Sequence, residues 1–340
     1  MKSIELPVYT DTICNVYPRH INLCSILQNY DETIPWILFN TLQLVLFNFD
    51  DGFDTIAFCG FETQLELDTS CPYIINRIQD REVIVSKWGG IKNFIFERLN
   101  SNYYIYMNVN TKYIKAYNRR NNFMHDIFIS GCDFDNEEFI CYDFFDKHYS
   151  KKKIPFKEIE DSWNYQYECK EDDYLQGVHC WKIKLTPNNI MKTNANQISK
   201  KEILMLLEQI ENPELPIYSY YKRNTNVKFG FECYEYLIDT IHKFPRKFDH
   251  WRLKSIYSLA NHIDILVFTI RYYNLHPNNN LIKNLAKETE IMKNLALKWF
   301  IVDSGIKTND KSIKNRMRDR IIKIFLLEKE IIESIIHQNK

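Results

Sequence analysis

The sequence predicts an α+β domain followed by an all-helical one, on three observations. Between about residues 103 and 185, apolar residues fall in short runs rich in Tyr, Phe and Ile, bounded by polar turn residues, as antiparallel strands require. From Ser199 onward most segments repeat their apolar residues at the helical period, as in KKEILMLLEQIE and KNRMRDRIIKIFLLEKEIIESII. Between these regions, Leu185 to Gln197 carries Pro187 and several Asn and breaks both patterns. The predicted domains are therefore residues 1–185 and 198–340, the second a helical bundle.

Taken in order, Ile21, Leu23, Cys24, Ile26 and Leu27 give one buried face to a helix over Asn15 to Asn29. Pro18 falls in its first turn, where a missing N–H costs nothing. A second helix follows Pro35, from Trp36 to Phe47. Asp50 to Asp68 reads as strand and turn, and Cys71 to Gln79 and Trp88 to Leu99 as short helices. Tyr103 to Val109 and Lys112 to Tyr117 read as strands turning at Asn110 and Thr111. Ile154 to Trp163 reads as a helix and Cys180 to Leu185 as a strand.

The most informative stretch is Phe123 to Phe145, FMHDIFISGCDFDNEEFICYDFF. Two apolar runs flank an acidic turn at Asp133 to Glu137, the pattern of a β-hairpin. His125 opens the first strand and Asp143 closes the second, so both return to the same end of the sheet. Asp126 should point to the opposite face from His125, and Asp133 belongs at the far end of the hairpin.

Composition narrows the function classes. Lys plus Arg and Asp plus Glu are each 44 in 340 residues, so no global positive field exists to hold nucleic acid. No apolar run reaches membrane-spanning length; Ile34 to Phe49 comes nearest, but Asn40, Gln43 and Asn48 interrupt it, so a buried helix is expected. The N-terminus lacks the order of a secretory signal, and nine scattered cysteines fit a reducing cytoplasm. No Cys/His cluster has zinc spacing, so no metal site is expected. Arg119–Arg120, Lys151 to Lys153 and Lys314 to Arg320 read as solvated charge, the first pair lying close to the His125 end of the hairpin.

A nucleophile is the missing partner, and Cys14 supplies a candidate. It precedes the first expected helix, where a helix N-terminus and a nearby imidazole favour a thiolate. Cys24 sits inside that helix on its apolar face and reads as packing. Alone, each residue has an ordinary explanation: an inert cysteine, a strand-end histidine, a turn acid. Together, Cys14, His125 and Asp143 follow the chain order of papain-like thiol enzymes. In such a site His125 deprotonates the thiol, Asp143 holds the tautomer, and the Cys14 backbone N–H gives one oxyanion donor. Leu6 to Thr12 contains no Gln or Asn, so no second donor is assigned.

The fragments CNVYPRHINLCSILQNY…PWILFNTLQL, YYIYMNVNTKYI and HDIFISGCDFDNEEFICYDFF…IPFKEIEDSW resemble the butirosin-biosynthesis-protein-H type family over roughly residues 5 to 165. The resemblance implies a papain-like cysteine-protease fold. It also implies transfer of an acyl or peptidyl chain from a carrier-protein thioester, through an acyl-cysteine, to an amine in natural-product assembly. A member that forms amide bonds in closthioamide-type thiotemplated assembly is similar to this chain in size and composition. Carried over by residue, Cys14 becomes the acylated nucleophile, His125 the base and Asp143 the orienting acid. The implied partners are an acyl or peptidyl carrier protein, which brings the phosphopantetheine arm, and an amine-bearing small molecule. No further cofactor is implied. Two alternatives remain: a cysteine peptidase or amide hydrolase using the same triad, and a catalytically inactive papain-like carrier-binding scaffold.

Overall fold

The computed structural model describes residues 3–48, 54–59, 71–145, 148–184, 198–214, 227–242, 249–275, 277–303 and 310–339. Helices and antiparallel sheets mix along the chain, which divides into two compact units, Met1–Ile34 with Asp68–Ala195 and Pro35–Leu67 with Asn196–Lys340. Residues 35–67, assigned from sequence to the N-terminal domain, thus belong to the second unit. The 185–197 linker lies outside the described residues.

In the first unit the elements are β1 (Ile4–Glu5), α1 (Pro18–Leu27) and, after the second unit's insertion, β4 (Ile74–Gln79), α3 (Arg81–Trp88) and α4 (Ile91–Asn100). They continue with β5 (Tyr104–Asn110), β6 (Met124–Asp133), β7 (Glu138–Asp143), β8 (Ser150–Pro155), α5 (Phe156–Asn164) and β9 (Val178–Ile183). The strands form one antiparallel sheet in the order β4-β9-β5-β6-β7-β8, with β1 added on β6. Gly89 and Gly90, at φ 71 and 150, separate α3 from α4, so the expected single helix over Trp88 to Leu99 is instead the second of a pair.

Alternation sorts the sheet into two faces. Ile105, Met107 and Val109 of β5, Ile127 and Ile129 of β6, and Phe139 and Cys141 of β7 are all buried in one core with Ile84, Phe94, Ile95 and Trp163 from the helices. Tyr104, Tyr106, Phe128 and Tyr142 occupy the alternate row. Tyr104 stacks on Phe128, and Tyr106 on Trp181. Helix α1 packs on this second face: its Asn22 accepts a 2.7 Å hydrogen bond from Tyr149, whose ring stacks on Tyr142.

A bulge divides β6. Ile129 pairs with Cys141 but Gly131 with Ile140, so Ser130 is an extra residue, and Cys132 rejoins the core row that Ile129 left. Gly131 is required here, because a Cβ would lie 2.2 Å from the Ile4 carbonyl oxygen of β1.

In the second unit, α2 (Ile34–Thr41) leads into β2 (Gln43–Asn48) and β3 (Asp54–Cys59). The helix expected from Trp36 to Phe47 ends at Thr41, and the remainder is strand. Val45 to Phe47 pair antiparallel with β10 (Val227–Phe229), giving a three-stranded sheet β10-β2-β3. That pairing, made far downstream, draws 35–67 out of the N-terminal domain. Around the sheet lie α6 (Lys200–Glu211), α7 (Phe231–Thr240), α8 (Asp249–Tyr272), α9 (Asn279–Asp303) and α10 (Asp310–Asn339). Helix α8 packs on β3 and α9, and α9 on α10. Ser199 and Glu202 close a capping box at the start of α6.

Two further expectations differ from the structure. Cys71 to Gln79 is a strand rather than a helix over Ile74–Gln79. It pairs along its length with β9, which supplies the backbone partners a lone segment lacks. Lys112 to Tyr117 forms two 3-10 turns, Thr111–Tyr113 and Lys115–Tyr117, rather than a strand. The Asn110 side chain caps the first, accepting from the Lys112 N–H.

Candidate active site

The hairpin forms as its alternation requires, and it brings the predicted pair together. His125 Nε2 lies 3.2 Å from Asp143 Oδ2, the imidazole side chain 27% exposed and the carboxylate 2%. Both sit on the same sheet face, at the end where β6 begins and β7 ends. The Tyr117 hydroxyl donates to Asp143 Oδ2, and its ring meets the imidazole edge-on at 6.0 Å between centroids. Phe123 flanks the ring at 6.1 Å.

A second carboxylate belongs to the site. Asp126 is on the alternate row, as alternation demands, yet its Oδ1 lies 3.4 Å from His125 Nδ1. Tyr106 donates to its Oδ2, and Tyr174 to its Oδ1 at 2.7 Å. The imidazole thus stands between two buried carboxylates, each held by tyrosine hydroxyls.

This arrangement selects a protonation state. A neutral imidazole has one N–H, so a carboxylate at each nitrogen leaves one lone pair facing negative charge; the imidazolium satisfies both. Burial pulls the His125 pKa down, but the charge and hydrogen bond of Asp143, with the charge of Asp126, outweigh it and hold the pKa above its ordinary value. The ion pairing therefore stabilises the fold fully below about pH 6.5, the unfolded value, and is lost as pH rises through the raised folded value. Burial first, then the adjacent carboxylates, raises the Tyr106, Tyr117 and Tyr174 hydroxyls, so all three remain donors at neutral pH.

Cys14 lies in a different setting. It is 0% exposed, its Sγ is 3.9 Å from the Val16 carbonyl, and Thr12 Oγ1 donates to its backbone oxygen at 2.8 Å. The hydrogen bond with Cys14 is the first cause that raises the Cys24 thiol well above its ordinary range, burial the second. None of the described hydrogen bonds or ion pairs joins Cys14 to His125. The expected position of Cys14 at a helix N-terminus also differs, because α1 starts at Pro18, with Tyr17 at φ 62 ahead of it. Pro18 sets the first helical residue, and the preceding segment takes irregular backbone. Cys24 is buried inside α1, in the packing position expected for it.

Sequence reasoning missed Asp126 as an imidazole contact and the three tyrosines as carboxylate donors. Tyr106 carried a signal, since it shares a β5 row with Asn108, the cross-strand partner of Asp126. Tyr117 and Tyr174 come from turns and loops, and no local pattern marks them. Among the described residues no group of three His, Cys, Asp or Glu side chains is arranged to hold a metal ion, and no helix is long and apolar enough to cross a membrane. No protein-family model matches this chain, and no curated protein matches it.

Proposed function

We propose that this protein is a cysteine-dependent acyltransferase with a papain-like first unit and a helical-bundle second domain. It would form an amide bond from a carrier-protein-bound acyl or peptidyl thioester in natural-product assembly. The observation that carries this reading is the His125–Asp143 pair at 3.2 Å, at the hairpin end that also carries the family resemblance. A paired imidazolium suits the first half-reaction. The Cys14 thiolate attacks the thioester carbonyl, the C–S bond to pantetheine breaks, and the departing sulfur takes a proton from His125. In the second half, the amine attacks the acyl-cysteine, its proton passes to the neutral imidazole, and Cys14 leaves as thiolate. The reading requires the segment around Cys14 to open, because the thiol is 0% exposed.

That same burial favours a second reading, a catalytically inactive carrier-binding scaffold in which Cys14 and Cys24 only pack. Intact-protein mass spectrometry after mixing with an acyl-loaded carrier protein separates the two. An acyl mass gain on wild type that is lost in Cys14→Ala supports the transferase. No gain on wild type supports the scaffold. A gain lost only in Cys24→Ala keeps the chemistry and moves the nucleophile to Cys24.

A further inference from the structure

Tyr103 closes the turn between α4 and β5, and its backbone N–H donates to the Arg98 carbonyl at 2.9 Å. The residue is 6% exposed, yet three cations converge on its ring. Lys182 Nζ lies 5.3 Å from the ring centroid, and the guanidinium carbons of Arg77 and Arg98 lie 5.7 and 6.0 Å from it. The fold fixes this convergence. Arg77 of β4 pairs across the ladder with Cys180 of β9, whose side chain belongs to the core between sheet and helices. Arg77 and Lys182, two residues beyond Cys180, therefore share that sheet face. Arg98 reaches the same ring from the last turn of α4.

A ring has two faces, so at least two of these three cations share one, where each is drawn to the ring and repelled by the other. Among the described residues the side chains of Arg77 and Lys182 form no hydrogen bond and no ion pair. The Arg98 side chain, 17% exposed, meets one acid, Glu97, at 3.8 Å. Its Nε is enclosed and donates to nothing among the described residues. Glu97 is shared, because its Oε2 accepts from Trp88 Nε1 at 2.6 Å. Lys87 and Arg98 both lie over the Trp88 ring, at 4.6 and 5.3 Å, so that side adds positive charge rather than removing it. A largely buried guanidinium with an unused N–H, beside two unpaired cations, calls for an anion. Charge decides which one. The three cations around Tyr103, less Glu97, leave two positive charges. A phosphate group carries about two negative charges at neutral pH, and its oxygens match the forked guanidinium donors. A carboxylate would leave one positive charge uncompensated.

We propose that Arg77, Arg98 and Lys182, gathered around Tyr103, bind a doubly charged phosphate group, either the free ion or a small-molecule monoester. The site stands apart from the imidazole. Val109, the cross-strand partner of His125, lies about 20 Å from Tyr103 along β5. The inference therefore does not rest on the function proposed above, and the two stand or fall separately.

Isothermal titration calorimetry of the full chain at low ionic strength, with inorganic phosphate, phenyl phosphate and acetate, tests the site. Saturable binding of phosphate is expected, with acetate at least about tenfold weaker. Tighter binding of phenyl phosphate identifies an ester as the ligand, and tighter binding of inorganic phosphate the free ion. Arg77 is exposed and Lys182 half-buried, so Arg77→Gln with Lys182→Gln leaves the core untouched and should weaken phosphate binding at least about tenfold. Lys182→Gln alone should shift affinity in the same direction, and circular dichroism checks that both variants fold. Phosphate should also raise the thermal midpoint of the wild type but not that of the double variant. Absence of saturable phosphate binding, equal affinity for acetate, or wild-type affinity in the folded double variant would each overturn the proposal.

Discussion

Replacing Asp126 by Asn tests the two-carboxylate account of His125 most directly. The substitution keeps the shape of the side chain, and its one oxygen still accepts from Tyr106 or Tyr174 while the other hydroxyl can turn to accept from the amide nitrogen, but it removes one of the two charges facing the ring. Two unit charges 3.4 Å apart interact by about 5 kcal/mol at an effective dielectric of 20 and by about 1 kcal/mol in water. With 27% of the imidazole side chain open to solvent, the effect belongs near the lower figure, about 1 to 2 kcal/mol, or about one pH unit. The His125 pKa should therefore fall by about that amount, from its raised value towards 6.5. Proton NMR of the imidazole ring across a pH series reads this. Because the chain has nine histidines, a His125→Gln spectrum identifies the resonance. An unchanged pKa in Asp126→Asn would refute the argument, showing that Asp143 alone sets the charge of the ring. If the acyltransferase turns over, the acid limb of its pH–rate profile should move to lower pH by the same interval.

Other perturbations follow from the same geometry. Tyr117→Phe removes the hydroxyl donor to buried Asp143 and should cost about 1.5 to 3 kcal/mol in urea unfolding. In the second unit, His262 and Glu328 are both 0% exposed with Nε2–Oε1 at 2.7 Å, and Tyr234 donates to the same carboxylate. His262→Ala should cost about 3 to 5 kcal/mol by leaving that carboxylate half-paired. The double variant with Glu328→Leu should lose less than the single one, a comparison made by denaturation midpoints. Ser199→Ala should cost about 1 kcal/mol by opening the capping box at α6. Gly131→Ala should release β1, seen as faster amide exchange at Leu6, whose N–H donates to the Ser130 carbonyl at 2.9 Å.

The sequence made the His125 hairpin legible because its period-two alternation and acidic turn are local signals, and the same periodicity placed the imidazole beside Asp143. The C-terminal helices were legible for the same reason: KKEILMLLEQIE is helical over its whole length. Local pattern failed where tertiary pairing decides. Ile34 to Phe47 is apolar apart from Asn40, Thr41 and Gln43, and no Gly or Pro follows Pro35, so nothing local marks the change from helix to strand at Leu42; the partner that stabilises the strand is Val227 to Phe229. Ile74 to Gln79 is a strand because β9 lies beside it, not because of its own composition.

Strand β6 serves as a common ruler for two distant parts of the first unit. Its beginning carries His125, while its far end fixes the N-terminal strand through the pairings of Ile4 with Cys132 and Glu5 with Gly131. The spacing between imidazole and N-terminal anchor is thus counted along a single strand, at about 3.3 Å per residue. The bulge at Ser130 is one step in that count. Because Ser130 is the extra residue, deleting it would leave Gly131 opposite Ile140 and Cys132 opposite Phe139, removing only the bulge and the carbonyl that accepts the Leu6 N–H. Length in β6 is therefore constrained everywhere but at the bulge: one residue gained or lost between Ile127 and Ile129 would transpose the rows beyond it and move Gly131 from beneath β1, with His125 and Asp143 left in place.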